Sequence, residues 1–439
     1  MPYPIRSRTP REALAACALL ASLLSCVARG QTSLGDTLVL SLSDARQIAL
    51  ERSTALAAAR YRLHAAEADT IGAHLLPNPL LSVNATSVDV LHGPPNFTGA
   101  STSYRLDQTF PIAGQRGNRV LTARASTEAA RESFDYQVFQ TNATIRDSYI
   151  DAAYAQINID LARQNYDLFA KLIAAANARL HAGDIAEEDV TKLELTELTY
   201  RQTLNDARQN LLDAINSLKQ AIGLDTNAPI AVKYDFQSIA RDASETSISR
   251  DSLERVALAR RADLSATEYT VQAAQHQIAL ARSNAWPTPD IGLELDRSGP
   301  DFPNLFGGGI GIAIPLFSRN QDEIYRAESN ERAAEYDYET ARLGVRTDLA
   351  TAYEKYNNSL DLFRGLSPDI LKMATDVRDH AMQNYTSGRI GLLDLLSSEQ
   401  VYHDAMASYY GALYTLARNL SLLERAVGVD SEDTQIFKR

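Results

Sequence analysis

The chain has 439 residues and a formal net charge of −12, with 45% apolar residues but one Trp. No dense Lys/Arg patch follows the N-terminus, so the acidic balance argues against a nucleic-acid partner, which requires a basic face for phosphate. Ala, Leu, Arg, Gln and Glu are prominent; that alphabet builds helices and does not resemble an enzyme of this length.

Arg6, Arg8 and Arg11 precede an apolar run from Ala13 to Leu24 and then small residues, the layout of a bacterial secretory signal over residues 1–30. The run is too short to span a bilayer. Cys17 and Cys26 are the only cysteines and both fall here, so the mature chain is expected to lack disulfides and thiol chemistry. Cys26 follows Leu23-Leu24-Ser25, an imperfect lipoprotein processing box that makes it a candidate lipidation site. Ala28-Arg29-Gly30 before Gln31 suits ordinary cleavage equally, and both alternatives stand. No later stretch approaches the roughly 18 apolar residues of a membrane-spanning helix, so any crossing of lipid must be made by strands.

Residues 31–223 read as one unit. A helix is predicted from Ser43 to Ala73, ended by Pro77-Asn78-Pro79. Two short strands follow, one with Leu81 and Val83, the next with Tyr104, Leu106 and Phe110 alternating with Arg105, Asp107 and Thr109. From Gly117 to Ala182 there is no Pro and no further Gly, which predicts a helix of about 65 residues, close to 100 Å long. Its apolar stripe runs through Tyr166, Phe169, Leu172, Ala176 and Leu180. A turn at Gly183-Asp184-Ile185 leads to a return helix from Glu187 to Ile222. Residues 224–250 mix Asn, Pro, Ser and Thr with the β-favouring run Ile230-Ala231-Val232, predicting a small connecting subdomain outside the helical layer.

Residues 251–428 repeat the unit about 205 residues later, a period that marks a duplicated half-molecule rather than a solenoid. Val256-Ala257-Leu258 answers Ile48-Ala49-Leu50, Pro287-Thr288-Pro289 answers Pro77-Asn78-Pro79, and Ile314-Pro315-Leu316 answers Phe110-Pro111-Ile112. Gly388-Arg389-Ile390 answers Gly183-Asp184-Ile185, and Ala426-Val427-Gly428-Val429-Asp430 answers Ala221-Ile222-Gly223-Leu224-Asp225. A helix from Ser252 to Asn284 precedes two strands, in which Ile291, Leu293 and Leu295 alternate with Gly292, Glu294 and Asp296, and Ile310, Ile312 and Ile314 with Gly309, Gly311 and Ala313. A long helix is predicted from Gln321 to Thr386, tolerating Gly344 and Gly365 and kinked at Pro368. Its stripe passes through Val345, Leu349, Tyr353, Tyr356, Leu360 and Phe363, then Ile370, Met373, Val377, Ala381 and Tyr385. The return helix covers Leu392 to Val427, and residues 429–439 form a tail.

Strands that are greasy on one face and small or acidic on the other match outer-membrane barrel strands. A water-soluble hairpin with one buried face fits any single strand equally well, and a long intracellular coiled coil fits the helices alone. The set of four strands together with a secretory signal favours the membrane. Four strands cannot close a barrel, which takes about eight at least, so a spanning chain must oligomerise; a trimer gives about twelve.

In order and twice over, these motifs make the chain resemble the TolC-like outer-membrane efflux proteins, and more closely their heavy-metal (CzcC/CusC-like) branch. The motifs are Leu42-Ser43-Asp44-Ala45, Leu76-Pro77-Asn78-Pro79, the two Pro corners, and Tyr385-x-x-Gly388-x-Ile390-x-x-Leu393-Asp394-Leu395-Leu396. The resemblance implies a mostly α fold with a small β part: a homotrimer with a shared β-barrel in the outer membrane and a helical tunnel in the periplasm. It further implies docking through periplasmic adaptor proteins to a proton-driven inner-membrane pump. The turns Arg179–Val190 and Tyr385–Leu396 would form the periplasmic tip, with Arg179, Gly183, Asp184, Gly388 and Arg389 as the adaptor-docking residues. Asp394 matches a position whose carboxylates ring the pore constriction, and Asp189 is its repeat mate; Ser397 stands where a second acid is expected. Symmetry bringing three acids to one axis would favour cations. The alternative is that Asp394 and Asp189 are helix-start acids favoured by the dipole. Pro368, and Arg389 in place of Asp184, break the repeat near the tip, where opening would be controlled.

Catalysis has little to stand on. The seven His are scattered, no HExxH or paired CxxC occurs, and Gly307-Gly308-Gly309 lies in a strand without a phosphate-loop lysine. Four Met and no mature Cys offer few soft ligands, so no metal site or cofactor is expected and a heavy-metal cargo rests on the branch resemblance. The reading is a passive conduit exporting small molecules or metal ions. The alternative is the outer-membrane component of a one-step (type I) protein secretion system, which would use the same architecture.

Overall fold

A computed structural model describes residues 38–86, 101–233, 236, 249–298, 304–366 and 369–429. The expected signal segment with Cys26, the residues beyond 429, most of the connecting segment and Pro368 lie outside the described residues. In chain order the first half comprises β1 (Leu38–Leu40), α1 (Leu42–Arg52), α2 (Thr54–His74), β2 (Leu80–Thr86), β3 (Ser101–Thr109), α3 (Gln115–His181) and α4 (Glu187–Ile222). After β4 (Ile230–Val232) come α5 (Arg250–Arg260), α6 (Ala262–Asn284), β5 (Pro289–Ser298), β6 (Leu305–Ile312), α7 (Gln321–Gly365), α8 (Ile370–Thr386) and α9 (Leu392–Val427). Both return helices fall where the sequence places them.

The helix of 67 residues, α3, is the spine, about 100 Å long at 1.5 Å per residue. It packs on α2 and α6 and on the return helices α4 and α9, and α7 packs on α6 and α9. Ala143, Ala152, Ala153, Ala155, Ala162 and Ala176 are all buried along α3; small side chains at these positions let neighbouring helices approach closely. The core is correspondingly divided rather than central. Leu40, Ala45, Ala49, Ile145, Tyr149, Leu218 and Ile222 form one cluster, and Leu253, Ala257, Val345, Leu349, Tyr356, Leu423 and Val427 form its counterpart in the second half. The duplication read from the sequence is thus a duplication of cores.

Three predicted helices are not continuous. The expected 43–73 helix breaks at Ser53, whose N–H donates to the Ala49 carbonyl (2.8 Å) while its hydroxyl accepts from the Leu56 N–H (3.3 Å), ending α1 and capping α2 with one residue. The 252–284 helix breaks at the equivalent place, Arg261, which has extended backbone and is fixed by Asp263 (2.6 Å) and Asp348 (3.0 Å). The helix expected from Gln321 to Thr386 with a kink at Pro368 is two helices, one ending at Gly365 and the next starting at Ile370. The stripe across that break is also corrected. On α8 the buried face is Ala374, Ala381 and Tyr385, whereas Met373 and Val377 are about half exposed, at 51% and 47%. Ile230–Val232 is a strand as expected, and its parallel partner β1 is an element the sequence reading lacked.

Candidate functional site: the barrel sheet, the seam and the tip

The four strands of the two halves form one antiparallel sheet in the order β2-β3-β5-β6. Its register sorts every side chain onto one of two faces. Leu81, Leu106 and Leu293 stand side by side, as do Val83, Tyr104, Leu295 and Phe306, and Ile291 beside Ile310. All are exposed; Leu295, the least, is at 41%. A contiguous apolar face open to the outside is untenable in water and suited to lipid. The opposite face carries Ser82, Asn84, Ser103, Arg105, Asp107, Glu294 and Asp296. Arg105 lies flat on it, its Nε donating to Asp107 (2.9 Å) and its guanidinium 3.7 Å from Glu294. Gly292 sits beneath that pair, where a Cβ would collide with both side chains. Trp286 and Tyr325, exposed at the junction of strands and helices beside Phe317, have the amphipathic chemistry of a membrane-interface girdle. Within the described chain the outer edges of β2 and β6 pair with no strand. In lipid those edge groups require partners, and only further copies can close the sheet.

At the opposite end of the long helices, the two predicted tip turns have the same construction. Gly183 (φ +79°) donates to the Leu180 carbonyl (3.0 Å) and Asp184 to the Arg179 carbonyl (2.9 Å); Gly388 (φ +73°) and Arg389 repeat this on Tyr385 (3.0 Å) and Asn384 (2.8 Å). This double bond pattern closes a helix through a left-handed residue, which is why glycine stands at both positions. Beneath the turns Phe169, Leu172 and Ala176 of α3, Val190 and Leu193 of α4, Ala381 and Tyr385 of α8, and Leu392 and Leu395 of α9 form one apolar cluster. Arg179 lies over the Tyr385 ring, 5.5 Å from its centroid, joining the two hairpins. Asp184, Arg389 and Asp394 are exposed and Asp189 is half-buried. Asp189 and Asp394 are each the third residue of their helix, and the Asp394 carboxylate accepts from the Gly391 N–H at 3.3 Å. The helix-start contact is therefore present at Asp394, and it leaves the carboxylate open to solvent.

Between sheet and tip runs a polar seam that sequence reasoning missed. Buried Arg146 of α3 pairs with buried Glu424 of α9. Around them Asp147 accepts from Ser421 (2.7 Å) and pairs with Arg418 (2.7 Å), Tyr414 donates to Asp151 (2.9 Å), and Arg425 donates to Gln140 (2.9 Å). Burial pushes the Asp151 carboxyl up against the pull of Arg418, and burial with Asp151 alongside pushes the Tyr414 hydroxyl up to about 12. Tyr154 stacks on Tyr414 with centroids 4.3 Å apart. The only sequence signal was that α3 and α9 carry complementary charges on their apolar faces, which becomes legible once the two helices are known to touch.

The family model described as "Outer membrane efflux protein" matches residues 45–224 and again 253–429. The cobalt-zinc-cadmium resistance protein CzcC of Cupriavidus metallidurans is 23% identical over 390 residues, covering 89% of this chain and 90% of the relative. The pyoverdine export outer membrane protein OpmQ of Pseudomonas putida is 23% identical over 391 residues, covering 82% and 79%. Among solved structures, the CusC channel superposes with a TM-score of 0.71 at 18% identity, over 90% of this chain and 94% of that one. A sheet built for lipid, helices of tunnel length and a family match spanning both halves agree: the chain belongs to the outer membrane efflux protein family and is an efflux channel component of the outer membrane.

Proposed function

We propose that the chain is the passive conduit of a tripartite exporter, working as a homotrimer whose three four-stranded sheets close a barrel of about twelve strands. The observation that carries this is the sheet itself, with lipid-compatible side chains on one face, charge on the other and two unpartnered edges within the described chain. Residues 1–30 are the export signal, 31–223 and 251–428 the two repeats, 224–250 the connecting segment and 429–439 the tail; Cys26 is the candidate lipid anchor. The tip, with Arg179, Gly183, Asp184, Gly388 and Arg389, meets a periplasmic adaptor that connects to a proton-driven inner-membrane pump. Asp394, and with it Asp189, lines the constriction, and the solvent-open Asp394 carboxylate supports that reading. The chain acts as a conduit rather than a catalyst. Metal ions of the class named for the relative CzcC are the first cargo to test, and small molecules the second.

Deleting the gene and measuring susceptibility to cobalt, zinc, cadmium, copper and a panel of drugs tests the reading. Increased sensitivity to one class is expected and names the cargo. Unchanged susceptibility with loss of a secreted protein would instead establish the one-step secretion alternative. In planar bilayers, Asp394→Ala is expected to raise conductance and weaken cation preference; unchanged current removes Asp394 from the constriction.

A further inference from the structure

One buried acid near the tip has no role in the conduit described so far. Glu399 of α9 is 3% exposed, and its Oε1 makes no hydrogen bond. The nearest cation, Arg378 of α8, is engaged elsewhere: its Nε and Nη2 donate to Asp379 (3.1 and 2.9 Å), and its guanidinium lies 4.2 Å from the centroid of the Tyr402 ring. From α8 the groups facing Glu399 are Arg378 and Asp379; from α4 Tyr200; from α9 itself Tyr402, with His403 one turn on and its ring 6.5 Å from that of Tyr200. The α3 side offers Phe169, packed on Tyr200 at 4.4 Å. Among the described residues no donor meets Oε1 of Glu399, and a buried carboxylate oxygen without a donor is expensive once ionised. The element packed on it, α8, is a short helix, separate from α7, which ends at Gly365.

We propose that Glu399 and Arg378 form a proton-operated latch between α8 and α9. With Glu399 neutral, Arg378 stays on Asp379 and Tyr402 and α8 is held against α9. With Glu399 charged, the buried carboxylate demands water, and α8 loosens from α9 to admit it, freeing the tip end of the second hairpin. Burial pushes the Glu399 carboxyl up to about 7, with Arg378 opposing and Asp379 adding. The folded hairpin thus holds the proton more tightly than the unfolded chain, whose ordinary value is 4.5. Packing of α8 is strongest below that value and weakens as pH rises through the interval from 4.5 to about 7.

Hydrogen–deuterium exchange on the detergent-purified full-length protein at about pH 5.5 and about pH 8, corrected for intrinsic amide rates, reads the latch directly. Protection over Ile370–Thr386 is expected to fall roughly tenfold at the higher pH, with the first hairpin unchanged, and Glu399→Gln is expected to abolish the fall. Equal protection at both pH values in the wild type overturns the proposal, as does a fall that persists in Glu399→Gln. Should that variant not assemble, Asp379→Asn releases Arg378 toward Glu399 and must move the transition to lower pH; an unmoved transition counts against the latch. The link to the channel rests on the tip being its closure. A pH-dependent conductance absent from Glu399→Gln but kept in Asp394→Asn supports that link, and the reverse pattern removes it while leaving the exchange result to judge the latch.

Discussion

The two hairpins of the helical layer differ more than their shared ancestry suggests. In the first, α3 runs unbroken for 67 residues from the sheet to the turn at Gly183, so the tip is rigidly continuous with the barrel. In the second, the corresponding path is α7 of 45 residues and then α8 of 17, packed over the buried, unsatisfied Glu399. Between the hairpins, the middle of the molecule is held by the Arg146–Glu424 network and the tip by an apolar cluster with Arg179 over Tyr385. If the ion-pair network holds the middle more firmly than the apolar cluster holds the tip, the middle is a pivot about which the second hairpin can swing.

The largest effect is expected at the sheet, on which both hairpins hang. Leu293→Arg places a charge on the lipid face, at about 2–4 kcal/mol per chain near the bilayer midplane and multiplied by symmetry, so the heat-labile oligomer should vanish from outer-membrane fractions. Recovery of normal oligomer would mean the face does not meet lipid. Next is the seam. Glu424→Ala takes one partner from buried Arg146 and should cost up to about 3–5 kcal/mol, read as a lowered melting temperature in detergent, whereas Glu424→Gln should cost less. If both are neutral, the middle is no firmer than the tip and the pivot fails. Smallest is Arg179→Gln, worth roughly 0.5–1 kcal/mol, which should leave melting unchanged but raise the open fraction in single-channel records; no change in opening shows that the hairpins are not coupled there.

What was legible in the sequence was local. Alternation in Ile291, Leu293 and Leu295 fixes a face whatever the neighbours are, and a glycine after a long helix announces a left-handed turn, so strands, return helices and both tip turns fall where expected. The misses are set by tertiary contact. Ser53 is an ordinary helix residue until its hydroxyl is seen capping α2, and Arg261 reads as a surface cation until Asp348, 87 residues away, is brought beside it. Met373 and Val377 continue the apolar period of Ala381 and Tyr385 on α8, but the buried face there passes through Ala374 instead, so within one chain they flank it and stand about half exposed. Glu399 carries no sequence signal, because a glutamate on a long helix is nearly always solvated, and only the packing of α8 makes it exceptional.

The outer edges of β2 and β6, which pair with no strand among the described residues, also govern how such a protein comes into being. A single chain owns an arc and no hole. The closed pore is complete only when the last edge meets the first. Its stability is then a function of how many copies the membrane holds, and dilution is a form of denaturation.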